Sequence, residues 1–359
     1  HLLATTCLTP AILLSTVNAH AETTVGAART TSIATSSANN GAADSIKITA
    51  AGSIKPASDV AVTIDSNHGV TNEGSIQITG ANDATGIQAN AGVSANIVNS
   101  GSITIDENYT PADPDKDGDN DGPFAQGARR FGIRTLGGLT GNVTNSGAIT
   151  VEGNDSGGIV LGGPLAGTLN HSGAVSVIGD RGVGIKAGSV SGDVKIMGSV
   201  AVQGAGSVGV SLQGDIAGAL VIQNAITATG YRSTTAPSDT SKLDADDLLQ
   251  GGPALVVAGN VGGGIFFDVP PKDTKADDKD EDKDGIDDAK EGTAAVTSVG
   301  AAPAVLIGSA NANTTIGAVA GSGGQGIVIN GAITGAGIYK DVNGNGMVIG
   351  GLGGAVTVV

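Results

Sequence analysis

Two stretches of this 359-residue chain carry carboxylates at a spacing that suits a hard cation. In Asp280-x-Asp282-x-Asp284-Gly285-Ile286-x-Asp288-x-x-Glu291, oxygen donors fall at positions 1, 3, 5, 9 and 12 of a loop with glycine at 6. Such a loop can wrap a cation, with the Ile286 carbonyl filling position 7 and Glu291 binding through both oxygens. The expected ligands are Asp280, Asp282, Asp284, Ile286, Asp288 and Glu291, and the expected cofactor is calcium. A second stretch, Asp113-x-Asp115-x-Asp117-Gly118-x-x-Asp121, begins the same way but has Phe124 where the closing glutamate would stand. Asp113, Asp115, Asp117 and Asp121 are its candidate ligands. Asp117-x-Asp119-x-Asp121-Gly122 is an equally good register. Asp341-x-Asn343-x-Asn345-Gly346 has too few carboxylates and reads as a turn.

No catalytic constellation stands out, and the chain is read as a non-enzyme. Arg129, Arg130 and Arg134 follow the first acidic stretch and are expected to pair with Asp119 or Asp121, or to face water. His171, in NHSG, occupies a place that other copies of the phrase give to asparagine, so it reads as a corner residue. The glycine run over 321–326 precedes no helix with a phosphate-binding lysine, which makes it a corner and not a nucleotide loop.

What would position such loops is a repeat. Gly86-Ile87, Gly132-Ile133, Gly158-Ile159, Gly184-Ile185 and Gly209-Val210 open similar segments, and three successive spacings are 26, 26 and 25 residues. Looser copies start at Ala254, Ala304 and Gly346. Each period reads as three short strands with apolar residues alternating at period two, as in GIVLGGP, LAGTLNHSG, AVSVIG. A unit this small cannot bury one face alone, so stacking is required: an all-β parallel β-helix, or β-solenoid, of about ten coils. Asn72, Asn99 and Asn145, two residues before glycine in TNEGSI, VNSGSI and TNSGAI, are either turn residues tolerant of left-handed backbone or a stacked side-chain ladder. Longer spacings place corner inserts at about 107–126, 231–250, 268–292 and 337–345. The three long inserts hold 21 of the 34 acidic residues and 8 of the 18 basic ones, so the charge belongs to the loops.

Composition agrees with a narrow interior. Glycine fills 60 positions, aromatics are 2 %, tryptophan is absent, and there is one cysteine. A compact α/β enzyme core needs larger side chains. The net charge of −16 argues against nucleic acid and anionic membranes and for cations. Residues 2–17 are apolar and end near Ala19-His20-Ala21, which reads as a secretory signal over 1–21 with its start clipped. Pro10 and the shortness of the run disfavour a membrane span. The single domain is then 22–359, without cysteine.

The 280–291 loop resembles the aspartate-rich calcium loops of thrombospondin type 3 repeats and bacterial surface proteins. It departs from the helix–loop–helix hand in having Ile at position 7 and no amphipathic helix leading in. The phrases VNSGSITID, TNSGAITVEG and INGAITG, with an export signal and a cysteine-free body, resemble the passenger region of Gram-negative autotransporters over roughly 22–359. That resemblance implies a bacterial cell-surface or secreted protein, attached to the outer membrane through a C-terminal barrel beyond Val359. The expected function is a structural or adhesive module displaying calcium-binding loops to a surface glycan or protein receptor. A carbohydrate-active enzyme (polysaccharide lyase or glycoside hydrolase) on the same scaffold is the alternative, and self-association a third reading.

Overall fold

The structure, a computed structural model, describes residues 22–359 except 115, 117–119, 237–238, 242, 273, 276 and 282–285. The export signal expected over 1–21 lies outside the described residues.

Alternation along each strand buries one face. In Ser102–Asp106, Ile103 and Ile105 point inward while Ser102, Thr104 and Asp106 are partly exposed. The strands assemble into three ten-stranded sheets in which every pairing is parallel. Sheet 1 runs from Thr23–Val25 to Ile327–Ile329, sheet 2 from Ala28–Arg29 to Ala332–Ala336, and sheet 3 from Ile33–Ala34 to Met347–Ile349. Successive strands of one chain segment go to different sheets, so neighbours within a sheet lie one coil apart in sequence. The chain is a parallel β-helix with three strands per coil. At ~4.8 Å per coil, ten coils make a rod on the order of 45 Å long. A fourth, minimal ladder connects sheet 3 to sheet 1 through Leu165, Val190, Ile216, Val261 and Ile316.

Pairing is in register, so like stacks on like. Ile87, Ile133, Ile159, Ile185 and Val210 form one inward column of sheet 3. One core cluster extends from Val25 to Ile316. The glycine that opens each of these segments is in the strand and not at a corner. A Cβ on Gly158 would meet the Val175 side chain of sheet 2 and the carbonyl of Gly184 in the next coil, so sheets 2 and 3 approach too closely for any side chain there.

The sequence left two readings for the asparagines, and the structure decides between them. Asn72, Asn99 and Asn145 end strands of sheet 1, fully buried, and none has a positive φ. Asn72 Nδ2 donates to Asn99 Oδ1 at 2.7 Å, Asn99 Nδ2 donates to Asn145 Oδ1 at 2.6 Å, and Asn145 Nδ2 approaches His171 Nδ1 at 3.0 Å. They form a ladder, which His171 extends by one rung. The left-handed corner belongs to Asp59, Asp83, Arg129, Asp155 and Arg181, with φ between 52° and 66°, on the turn from sheet 2 to sheet 3.

Candidate functional site

The segments 107–126, 231–250 and 337–345 all leave the rod at that same turn, after the sheet 2 strands Ser102–Asp106, Ala225–Thr229 and Ala332–Ala336. The segment 268–292 leaves one corner earlier, after Ile265–Phe267 of sheet 1.

The first insert is locked at its root. Glu107 Oε1 accepts from the Gln126 N–H at 2.6 Å, and Oε2 accepts from the Gly127 N–H at 2.7 Å and from Arg130 Nη1 at 2.7 Å. Arg130 also donates to the carbonyls of Ala81 and Glu152, and it is 1 % exposed. Burial works against the Glu107 charge, but the Gln126 N–H, Arg130 and the Gly127 N–H outweigh it and hold its carboxyl below the usual range. The arginines do not pair with Asp121, while Arg129 faces water as the other alternative expected, and Asp119 lies outside the described residues. Arg130 pairs with Glu107, Arg129 forms a two-pronged pair with Asp83, and Arg134 lies over the Phe131 ring at 4.4 Å. The reason is register: Asp83 lies one coil below Arg129 at the same left-handed corner.

The three inserts at this turn touch one another and form a ridge along the rod. Arg232 of the second insert donates to the Gly122 carbonyl of the first, pairs with Asp246 at 3.1 Å, and stacks on the buried Phe124 ring at 4.8 Å. The Gly122 N–H donates to Asp246 Oδ2 at 2.8 Å. Farther along, Tyr231 meets Tyr339 of the last insert edge to face, with ring centroids 4.8 Å apart, and Val299 joins them in a small second core. A groove of about 370 Å³ runs below the first contact, over the outer face of sheet 2, lined by Pro111, Asn120, Phe124, Glu152, Gln203 and Arg232 among others. Burial, then the nearby charges of Glu107 and Asp106, pushes the Glu152 carboxyl up.

Asp121, Asp244 and Asp246 converge where the first two inserts meet, with one oxygen of each within 4.8 Å of the others. Asp244 and Asp246 behave as a pair: the hydrogen bond between them raises the Asp244 carboxyl. Burial opposes the charge on Asp246, yet Asp244, Arg232 and the Gly122 N–H keep it low. Among the described residues the group is three carboxylates, an oxygen-only set suited to calcium or magnesium. Of the four ligands expected in the first insert, Asp113 and Asp121 are described, while Asp115 and Asp117 lie outside the described residues. Asp113 accepts from the Lys116 N–H at 2.6 Å. Asp244 and Asp246 escaped sequence reasoning because Asp246 contacts Gly122 across 124 positions, and no local spacing carries that information.

In the 268–292 insert, Asp280, Ile286, Asp288 and Glu291 are described, and Asp282 and Asp284 are outside the described residues. Asp288 opens a single 3₁₀ turn, Asp288–Lys290, which Asp287 caps. Asp288 Oδ1 accepts from the Glu281 N–H at 3.4 Å, and Glu291 Oε1 accepts from the buried Gln223 amide at 3.1 Å, which ties the end of the insert to the rod. No family model, no curated protein and no solved structure matches this chain, so the ridge is read from its own geometry.

Proposed function

We propose that this chain is an exported bacterial cell-surface module, structural or adhesive, of the autotransporter-passenger kind, in which the β-helix holds calcium-binding inserts out from its corners. The observation that carries the reading is the meeting of two acidic inserts at Asp121, Asp244 and Asp246. Carboxylates brought together across distant segments repel one another, and a divalent cation offsets that repulsion and fixes the contact. The aspartate-rich 280–291 loop, similar to thrombospondin type 3 loops, supplies a second calcium position. Recognition of a surface glycan or a protein receptor falls to the ridge and the groove beneath it, because the three inserts of the ridge carry four of the chain's seven aromatic residues.

A second reading, a glycan-cleaving enzyme, draws on Glu152. Its raised carboxyl faces the groove from a sheet 2 strand beside Asp106. One experiment separates the two. The full chain is applied to glycan and matrix-protein arrays with calcium or with a chelator, and the supernatants are assayed for released sugar. The adhesive reading expects capture that needs calcium, disappears when 107–126 and 231–250 are replaced by short turns, and releases no product. Capture indifferent to chelator and to insert removal overturns it, and sustained product release moves the assignment to the enzyme.

A further inference from the structure

The ladder in sheet 1 has a direction, and its last rung is titratable. Ser199 O can only accept, so His171 Nε2, 3.1 Å away, must carry the proton. Nδ1 is then a lone pair, and Asn145 Nδ2 donates to it. From Asn72 to His171 every amide donates toward the next coil. The chain of donors cannot turn round, because flanking backbone groups fix both ends. The Gly74 N–H donates to Asn72 Oδ1 at 3.2 Å, and Asn72 Nδ2 donates to Ser102 O at 3.3 Å. Asn145 Nδ2 also donates to Gly147 O at 3.2 Å. Flipping the amides would set Asn72 Nδ2 against the Gly74 N–H, and Asn145 Oδ1 against the Gly147 carbonyl.

We propose that His171 is a proton-operated release in the middle of the rod: a proton on Nδ1 sets donor against donor at Asn145, the column cannot reverse, and the coils around it part. His171 is 1 % exposed. The side chains beside it in its sheet are Asn145 and Ile196, and those on the adjoining strands Ala174–Ile178 and Ser199–Gln203 are uncharged. Lys195, the one charged residue on these strands, is the middle residue of Val194–Ile196 and points to the opposite face. No carboxylate is therefore placed to shelter an imidazolium. Burial accordingly holds the imidazole below its ordinary range. The sign follows: a histidine depressed in the fold binds its proton more readily once the coils open. Stability is complete above about pH 6.5 and falls as pH drops below it. This lies outside the calcium reading, since neither His171 nor its neighbours belong to the inserts.

The test uses the whole chain. Nitrogen-15 histidine spectra at pH 7.5 should show His171 as the Nε2–H tautomer, with its titration midpoint below that of a free histidine. Hydrogen exchange over 143–203, corrected for the intrinsic hydroxide-catalysed rate, should show opening that rises about tenfold per pH unit below 6.5, as one proton taken up requires. His171→Asn, which extends the asparagine column, should flatten that rise. His68→Gln, altering the other histidine of the rod, should leave it intact. An Nδ1–H tautomer, titration of His171 at an ordinary pH without any change in exchange, or an unaltered acid profile in His171→Asn would each overturn the proposal. The first two are read on the unmodified protein, so a variant that misfolds does not shelter the idea.

Discussion

Replacing Glu107 by glutamine should open the root of the first insert without unfolding the rod. The amide keeps the shape of the carboxylate but has one acceptor oxygen where the structure uses two. Oε1 serves the Gln126 N–H, and Oε2 serves both the Gly127 N–H and Arg130. Whichever way the amide turns, an NH₂ faces a donor, and the Arg130 charge is left buried without its counter-ion. Breaking a buried pair from one side typically costs about 3–5 kcal/mol. That corresponds to an opening constant raised on the order of 10² to 10⁴-fold. In a stacked repeat such a loss is local, confined to the coils that touch it. Hydrogen exchange over 105–131 and the rate of proteolysis within 107–126 measure it, with peptides from 194–229 as the unaffected reference. Acid supplies an internal check. The Glu107 carboxyl is held below its usual range, so its contribution is present above about pH 4.5 and is lost as pH falls through the folded value. The unmodified chain should therefore approach the Glu107→Gln profile in acid, while the variant stays flat there. A change in opening below about tenfold, or an equal acid response in both proteins, would refute the view that this pair fastens the insert.

Three further outcomes are expected. Asp244→Asn should abolish calcium-dependent protection of both 107–126 and 231–250 while leaving that of 268–292 unchanged, as read by hydrogen exchange with and without calcium; calcium protection that persists in the first two would remove Asp244 from the site. Tyr231→Ala should cost about 3–5 kcal/mol, as large aromatic truncations in cores do, and should expose 337–345 as well as 231–250 to protease because the tyrosine joins the two. Asn99→Leu should destabilise the rod by about 1–3 kcal/mol for each buried partner it strands, here the Asn72 amide and the Asn145 carbonyl, in a urea unfolding series.

The rod was legible in the sequence because a β-helix writes the same instruction every coil. Ile133, Ile159 and Ile185 recur at the period that stacks them, and alternation within a strand fixes which face is buried. Side-chain ladders were legible only as an alternative, since a buried asparagine and a turn asparagine look alike until the register is known. Glycine was legible by place but not by cause. Gly158 opens a recurring strand in the sequence, whereas the reason for a glycine there is the distance between two sheets. The ridge was invisible beyond its acidity. Arg232 on Phe124 and Tyr231 against Tyr339 join segments that no repeat relates, and the pairing depends on three-dimensional proximity along one edge.

The place where the ridge emerges has its own physical logic. Sheet 2 pairing reaches Asp106 opposite Thr79, and sheet 3 pairing resumes at Phe131 opposite Thr85, so the whole first insert intervenes without displacing either register. Between those points the chain passes through a left-handed corner where Asp83 meets Arg129 and Asp155 meets Arg181, opposite charges stacked coil upon coil on the surface. Exposed pairs of this kind contribute only about 0–1 kcal/mol each. Their effect is to mark where the chain must re-enter the rod. An insert rooted there can change length, charge and ligand while the hydrogen-bonded coils beneath it keep their spacing. Carrying carboxylates on inserts outside the coils therefore separates two responses: metal should alter the inserts and leave the rod almost untouched, whereas acid should reach the rod itself through the buried column that ends at His171.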